Sequence, residues 1–136
     1  MVLEKKTFEK NELGISSIRM SILENRKENS PLARATIHFK NGMALNSVSL
    51  WPKKNENGVS ISLPGYKIAK KDRNGNQLYD ENQKPVYDFC EYVHPTKQGT
   101  RSELNANLIA TYNEGIQMLS QAQNQNKAVS TPSLNR

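Results

Sequence analysis

Between Trp51 and Arg101 the chain interleaves Lys and Arg side chains with tyrosines. Long cations in loops can reach phosphate oxygens without disturbing a core, and a tyrosine ring offers a surface on which a base can stack. The residues that combine these properties are Lys53, Lys54, Tyr66, Lys67, Lys70, Lys71, Arg73, Lys97 and Arg101. We predict that this set binds nucleic acid. The residues alone favour equally a simpler interpretation, in which the lysines only keep a sheet edge from aggregating.

The overall charge agrees with a polyanionic partner. The chain of 136 residues contains 19 Lys and Arg against 13 Asp and Glu, a formal net charge of +6, and its pI is near 9.5. A basic balance favours nucleic acid first among polyanions, although many soluble proteins carry such a charge without binding one. The charge must therefore be clustered before it indicates a site.

Catalytic and metal-binding patterns fail on residue type and spacing. A zinc site takes about four ligands, and the only Cys and His residues are Cys90, His38 and His94. The loop that begins at Asp72 lacks the glycine and the glutamate that an EF-hand calcium loop needs. The chain contains no nucleophile elbow, P-loop or dinucleotide fingerprint. We therefore expect no enzyme activity, no metal and no cofactor.

Three features favour a cytoplasmic protein that does not contact a membrane. No apolar run approaches the roughly 20 residues that span a bilayer, and the N-terminal stretch lacks the apolar segment of a secretory signal. The single cysteine, Cys90, cannot form an internal disulfide and fits a reducing compartment.

The elements that must position the basic residues begin with a hairpin centred on Asn41-Gly42. This dipeptide is typical of a two-residue type I′ turn, because both turn residues need positive φ. The resulting register makes one face of the hairpin almost wholly apolar and the other mostly polar. We expect the apolar face to pack beneath a helix, and the polar face, including Arg34 and His38, to be left for solvent or a partner.

Other strands follow from alternating apolar residues, which predict strands over 15–22, 59–63 and 86–93. A second Asn-Gly pair at 74–75 lies in a segment that is polar on both faces. Such a segment cannot bury a face, so we predict a protruding, mobile ribbon over 66–87.

A helix start follows the last strand. Thr100 and Glu103 have the spacing of a capping box, and the apolar stripe that begins at Leu104 predicts a helix over about 101–121. Phe39, Phe89 and Tyr112 fall in patterns typical of core positions.

Together these elements predict an α+β fold, an antiparallel β-sheet meander with a protruding β-ribbon and one C-terminal helix packed on the sheet. We expect a flexible N-terminal arm over 1–14, with a short edge strand as the alternative. One domain over 15–121 and a disordered polar tail over 122–136 complete the chain.

Four segments between residues 15 and 119 carry a family resemblance. They are LARATIHF at 32–39, VSISLP at 59–64 leading to Lys67, DFCEYVHP at 88–95, and Thr100-Arg101 at the start of the helix. His-Pro followed by Thr-Arg and a helix is the most specific part. The pattern resembles the SpoVG family, small bacterial regulators named for sporulation and septation.

The resemblance implies a small antiparallel sheet with a C-terminal helix, dimerising through strand and helix contacts. It also implies a site-preferring DNA-binding regulator, with RNA bound by some members. The basic segment of the family corresponds here to Lys67, with Lys70, Lys71 and Arg73 continuing it. A phage or mobile-element variant is compatible with the same pattern.

We therefore predict a homodimeric nucleic-acid-binding regulatory protein that binds DNA, with RNA as a second candidate ligand, through the ribbon and the helix start. The alternative is a protein-interaction module, or an inhibitor of a host or partner protein, in which the exposed ribbon pairs with a partner's strand. A third hypothesis is sequence-tolerant single-strand binding, with Trp51, Tyr66 or Tyr79 as stacking platforms.

Overall fold

The structure is a computed structural model that describes residues 1–8, 11–54 and 57–134, with side chains described as far as residue 123. The elements in chain order are β1 (Val2–Lys5), β2 (Ile15–Ile22), β3 (Ala33–Phe39), β4 (Ala44–Pro52), β5 (Val59–Ser62), β6 (Gly65–Ala69), β7 (Tyr87–Glu91) and α1 (Gln98–Leu134).

Strands β1 to β5 form one antiparallel sheet in sequence order, and β6 pairs with β7 in a separate two-stranded sheet. Helix α1 covers one face of the larger sheet because alternate strand residues point toward it and are apolar. Leu104 and Leu108 are the helix side chains at the centre of that core. The strand and loop residues buried with them are Ile15, Ile18, Met20, Ile22, Ala33, Ala35, Ile37, Val48, Leu50 and Leu63. The predicted α+β fold is confirmed.

The N-terminal residues form an edge strand rather than the predicted flexible arm. Strand β1 pairs antiparallel with β2, with Leu3 opposite Met20. The Lys5 ammonium lies 3.0 Å from the Glu114 carboxylate on α1, which ties the edge strand to the helix. The expectation of an arm over 1–14 is therefore wrong for residues 2–5, because ladder hydrogen bonds and apolar packing order this segment.

The hairpin between β3 and β4 turns through three residues rather than the predicted two. The Phe39 N–H donates to the Met43 carbonyl at 2.8 Å, and the Gly42 N–H donates to the Phe39 carbonyl at 3.0 Å. Gly42 has a φ of 90° and Asn41 is not in the positive-φ region. This geometry is a type I turn followed by a left-handed glycine, and it suits Asn-Gly as well as a type I′ turn does. The type I′ prediction is wrong.

A β-bulge at Ser47 compensates for the longer turn. A two-residue turn predicts Asn46 opposite Ile37 and Val48 opposite Ala35. In the structure Ile37 pairs with Leu45 near the turn, whereas Ala35 pairs with Val48 as predicted. Ser47 has a φ of 63°, which is the local distortion that accommodates an extra residue. A one-residue slip would turn every later side chain of β4 to the wrong face. The bulge returns Val48 to the core.

Helix α1 begins earlier and continues further than predicted. Its first residue is Gln98, so Thr100 lies within the first turn and does not cap the helix. The Glu103 carboxylate instead accepts the Glu12 N–H at 2.9 Å and the Leu13 N–H at 3.1 Å. The predicted capping box is wrong because the turn before β2 supplies the donors that Glu103 binds.

The C-terminal end of the same helix extends into the segment predicted as a disordered tail over 122–136. Residues 122–134 continue α1 as far as Leu134, and the last two residues of the predicted tail, 135–136, lie outside the described residues.

A close approach between α1 and the sheet explains the glycine within the helix. A Cβ atom at Gly115 would overlap the Ile22 side chain and would lie 3.0 Å from Leu3 Cδ2. The residue that weakens the helix locally therefore allows the helix to pack directly on β1 and β2.

Candidate nucleic-acid interface

Most of the predicted binding residues lie on the ribbon, which we define as residues 65–91. Strands β6 and β7 pair from Gly65 opposite Glu91 to Ala69 opposite Tyr87. None of the ribbon residues is buried, which agrees with the expectation of a segment without a core of its own.

Two consecutive turns of the same geometry form the outer part of the ribbon. The Asp72 N–H donates to the Asn76 carbonyl at 2.9 Å, and the Asp80 N–H donates to the Lys84 carbonyl at 2.9 Å. The side-chain Oδ1 of each aspartate accepts two further backbone N–H groups, at 2.9 and 3.0 Å for Asp72 and at 2.9 Å twice for Asp80. The sequences DRNGNQLY at 72–79 and DENQKPVY at 80–87 are thus two copies of one eight-residue turn unit.

The first of these turns differs from the predicted two-residue loop. Gly75 has a φ of 84°. A two-residue loop would place Lys71 opposite Leu78, but in the structure Lys71 pairs with Gln77. The reason is the same as in the β3–β4 hairpin, because a three-residue loop with a left-handed glycine replaces the type I′ turn.

Backbone hydrogen bonds join three segments of the ribbon where the two turn units meet. The Leu78 N–H donates to the Lys70 carbonyl at 2.9 Å, the Val86 N–H to the Leu78 carbonyl at 3.0 Å, and the Lys70 N–H to the Val86 carbonyl at 3.0 Å. The Gln77 amide donates to the Leu78 and Val86 carbonyls, at 3.0 Å each. Polar bonding therefore gives the ribbon a defined shape in place of a hydrophobic core.

Five aromatic side chains project from the ribbon and its base into solvent. Their exposed fractions are 46% for Tyr66, 61% for Tyr79, 53% for Tyr87, 51% for Phe89 and 70% for Tyr92. The Tyr66 and Tyr92 rings lie side by side, with centroids 5.3 Å apart and planes inclined by 32°. The assignment of Phe89 to the core is wrong, because β7 belongs to the two-stranded sheet that no helix covers.

Four cations of the ribbon have no partners of their own. Lys67, Lys70, Lys71 and Arg73 are all exposed, and among the described residues no hydrogen bond or ion pair is formed by their side chains. Over residues 65–91 the formal charge is nonetheless zero, since five Lys and Arg are balanced by five Asp and Glu. The carboxylates of Asp72 and Asp80 are occupied by backbone N–H groups of their own turns.

Arg101 lies where the helix start meets the base of the ribbon, and it is already paired. Its guanidinium donates to the Glu91 Oε1 at 2.9 Å, and the other oxygen of that carboxylate is buried without a hydrogen-bond partner. Lys97, just before α1, is exposed. Of the two predicted helix-start cations, only Lys97 is therefore without an ion-pair partner in the part of the chain that the structure describes.

Lys53 and Lys54 lie apart from the ribbon. They follow β4 at the turn toward β5, on the five-stranded sheet, and both are exposed. The structure thus divides the predicted residues among three places, the ribbon, the β4–β5 turn and the helix start.

Three aromatic residues that accompany the cations are absent from the predicted set. Tyr87, Phe89 and Tyr92 occupy both faces of β7 and its extension. A signal was present in the sequence, because a strand with aromatics on both faces, paired with a ribbon that cannot bury either face, must expose some of them.

Comparison of the chain with protein-family models, with curated proteins and with solved structures found no match in any of the three. The resemblance to the SpoVG family therefore stays a prediction that depends on the quoted segments. Within residues 1–8, 11–54 and 57–134, no helix is long and apolar enough to cross a membrane. The same residues contain no cluster of three or more His, Cys, Asp or Glu side chains suited to a metal ion.

Proposed function

We propose that this chain is a cytoplasmic nucleic-acid-binding regulatory protein that acts as a homodimer and contacts DNA, or RNA, through the ribbon and the helix start. The observation that supports the proposal is the exposure of five aromatic rings on the ribbon and its base, which also carry four exposed cations without an ion pair. Aromatic rings exposed to this extent are costly to hydrate in the free protein, and a stacking ligand would recover that free energy.

The balance of charge on the ribbon favours stacking over electrostatic attraction alone. A surface that bound only phosphates would be expected to exclude carboxylates, yet the ribbon carries as many carboxylates as cations. Stacking of a base on an aromatic side chain is worth about 1–3 kcal/mol and does not depend on net charge. We therefore assign the rings the larger share of the affinity and the cations the positioning of the backbone.

Arg101 has a different role from the other predicted residues in this proposal. Because it is paired with Glu91, it fixes the ribbon to the helix start, and Lys97 remains to contact phosphate. Dimerisation is supported by the exposed apolar side chains Ile68 and Val93, which a second copy would cover.

The proposal is tested with paired variants and a labelled oligonucleotide. In the ribbon variant Lys67, Lys70 and Lys71 are replaced by Ala, and in the control variant the exposed Lys6, Lys27 and Lys40 of the body are replaced, which removes the same charge. The ribbon variant should weaken binding and lower the slope of log affinity against log salt by roughly 0.7 per lost contact on a single strand. Equal effects of both variants would contradict the assignment of the ribbon.

A second pair of variants tests the rings. Phe89→Ala should reduce affinity for a single strand by about 5-fold or more, whereas Met43→Ala, which removes an apolar side chain exposed on the β3–β4 turn, should leave it unchanged. Absence of any DNA or RNA binding by the wild-type chain at moderate salt would overturn the function itself.

A second candidate function is protein interaction through the ribbon. It is favoured by the exposed Ile68 and by the unpaired outer edges of β6 and β7, which could accept a partner's strand. In that case a defined partner would be retained stoichiometrically after nuclease treatment, and Ile68→Asp would abolish its retention.

A further inference from the structure

The face of the five-stranded sheet that α1 does not cover carries an unusual set of side chains. Directly paired residues share a face, so Val2, Ser21, Arg34, Ser49 and Ser62 form one row across all five strands. Their neighbours Met20, Ala35 and Val48 point into the core, which places this row on the opposite side. We call this side the open face.

Arginines on the open face have no partner of their own. Arg34 lies at the centre of the row, and Arg19, two residues from Ser21 on β2, is paired with Thr36. Both arginines are exposed, and among the described residues neither guanidinium makes a hydrogen bond or an ion pair. The diagonal position of the two residues on neighbouring strands sets them about 7 Å apart at Cβ. Two adjacent guanidinium groups without an ion pair form an anion-binding surface.

The only tryptophan of the chain lies on the same face. Trp51 follows Ser49 by two residues on β4, and its indole N–H donates to the Ser49 hydroxyl at 2.9 Å. The ring is half-buried, and the hydrogen bond fixes its polar edge against the strand. A fixed indole beside a guanidinium is a pre-organised platform for a flat, anionic ligand.

Two adjoining grooves run across the open face and share Arg34 and Ser47. One has a volume of about 410 Å³ and is bounded by Asn29, Ser30, Ser49 and Trp51. The other has a volume of about 360 Å³ and is bounded by Arg19, Ser21, Thr36 and Asn46. No carboxylate lines either groove. Glu4 on the edge strand β1 is the carboxylate that the strand pairing brings opposite Arg19. Hydroxyl and amide groups provide both donors and acceptors for base edges.

We propose that the open face binds a single-stranded nucleic acid, with Arg19 and Arg34 on phosphates and Trp51 stacked against a base. This inference rests on the proposed function and assigns it a second contact surface. A single strand is favoured over a duplex because a base must leave its stack to meet the indole. A second copy of the chain is disfavoured, because Val2 is the only exposed large hydrophobic side chain among the described residues of the row and the two grooves, and sheet-on-sheet packing needs an apolar surface.

Fluorescence of the native Trp51 gives a direct test, because no other tryptophan contributes. The probes are oligothymidylate and oligouridylate of about 12 nucleotides, with inorganic polyphosphate as the purely anionic comparison. The expected result is quenching by either oligonucleotide and not by polyphosphate. Quenching by polyphosphate to the same extent, or no change with an oligonucleotide that demonstrably binds, would overturn the proposal.

Variants separate the open face from the ribbon. Arg34→Gln and Arg19→Gln should each lower the salt slope by about 0.7, and Trp51→Leu should weaken binding about 5-fold or more while Trp51→Phe largely restores it. The ribbon variant should retain the quenching amplitude at saturation. If the ribbon variant loses affinity while the arginine variants and the Trp51 signal are unaffected, the open face is not a contact surface and the proposed function stands. If the wild-type chain binds no oligonucleotide, both proposals fail.

Discussion

Replacement of Arg101 by Met distinguishes a residue that holds the ribbon from one that contacts phosphate. The Arg101–Glu91 pair has an N–O distance of 2.9 Å, and its side chains are 36% and 24% exposed. Fully exposed pairs contribute about 0.2–1 kcal/mol, and the partial burial of this pair supports the upper part of that range. The same change leaves a half-buried Glu91 carboxylate with one oxygen already unpartnered, so we expect a loss of about 1 kcal/mol.

For a chain of this length a loss of that size lowers the melting temperature by roughly 3 °C. Hydrogen exchange gives a sharper signal. The amides that join β6 to β7 should exchange faster in Arg101→Met, whereas the exchange of the amides between β2 and β3 should not change. The reason is that the ribbon can open without global unfolding. In a double-mutant cycle Glu91→Gln should remove most of the effect. Unchanged ribbon exchange, together with a fall of about 0.9 in the salt slope on duplex DNA, would refute this reasoning and make Arg101 a phosphate contact.

Three further changes follow from the packing and turns. Gly115→Ala gains about 1 kcal/mol of helix propensity, but its Cβ would overlap the buried Ile22 side chain, and overpacking costs about 1–3 kcal/mol. Chemical denaturation should therefore show a net loss in the free energy of unfolding. Gly99→Ala, which adds a Cβ in open space, should show no such loss. Gln83 has a φ of 60° at the position that Gly75 occupies in the preceding turn unit, so Gln83→Gly should stabilise the ribbon and Gly75→Ala should destabilise it, by about 1 kcal/mol each, in ribbon amide exchange. Burial raises the pKa of the Tyr112 hydroxyl above its ordinary value, and the charge of Arg26 offsets part of the rise. The stability that the protonated hydroxyl contributes is complete below pH 10 and is lost as the pH rises through the raised pKa. Tyr112→Phe should therefore lessen the loss of stability at alkaline pH, and a pH profile identical to that of the wild type would contradict this expectation.

The positions of both hairpins could be predicted from Asn-Gly, but their loop lengths could not. Asn-Gly satisfies a type I′ turn and also a type I turn followed by a left-handed glycine, and the two differ by one residue of register. In the first hairpin the pattern of core residues remained correct only because the bulge at Ser47 restores the register. A bulge of this kind has no local sequence signature in a serine-rich strand, so alternation alone placed Val48 correctly and Leu45 incorrectly.

Long-range partners account for the errors at the two ends of the domain. Glu103 has the spacing of a capping residue, yet it binds the turn at Glu12 and Leu13, about ninety residues away in sequence. Likewise β1 is too short and too polar for its own pattern to decide between a flexible arm and an edge strand. Its order comes from pairing with β2 and from the contact between Lys5 and Glu114, and neither interaction is local.

The candidate site shows the same division between local and non-local information. Lysines and arginines could be named from the sequence, because exposed cations are apparent from composition. Which of them are unpaired could not be named, since Arg101 meets Glu91 only after the ribbon folds back to the helix start. Which ring would be exposed was equally hidden, because Phe89 alternates like a core residue within β7 while its sheet has no covering layer.

The distribution of charge links the two proposed surfaces. The ribbon is formally neutral, so the net charge of +6 resides in the remainder of the chain, which includes the open face with Arg19 and Arg34. Long-range attraction of a polyanion would therefore be directed to the body of the protein, where carboxylates do not line the grooves. The ribbon has exposed rings and no formal net charge, so it would not attract a polyanion over a distance. It would add affinity by stacking once the protein and the polyanion are in contact. Salt should consequently affect association with the body more strongly than the contribution of the ribbon rings, because stacking releases no counterions.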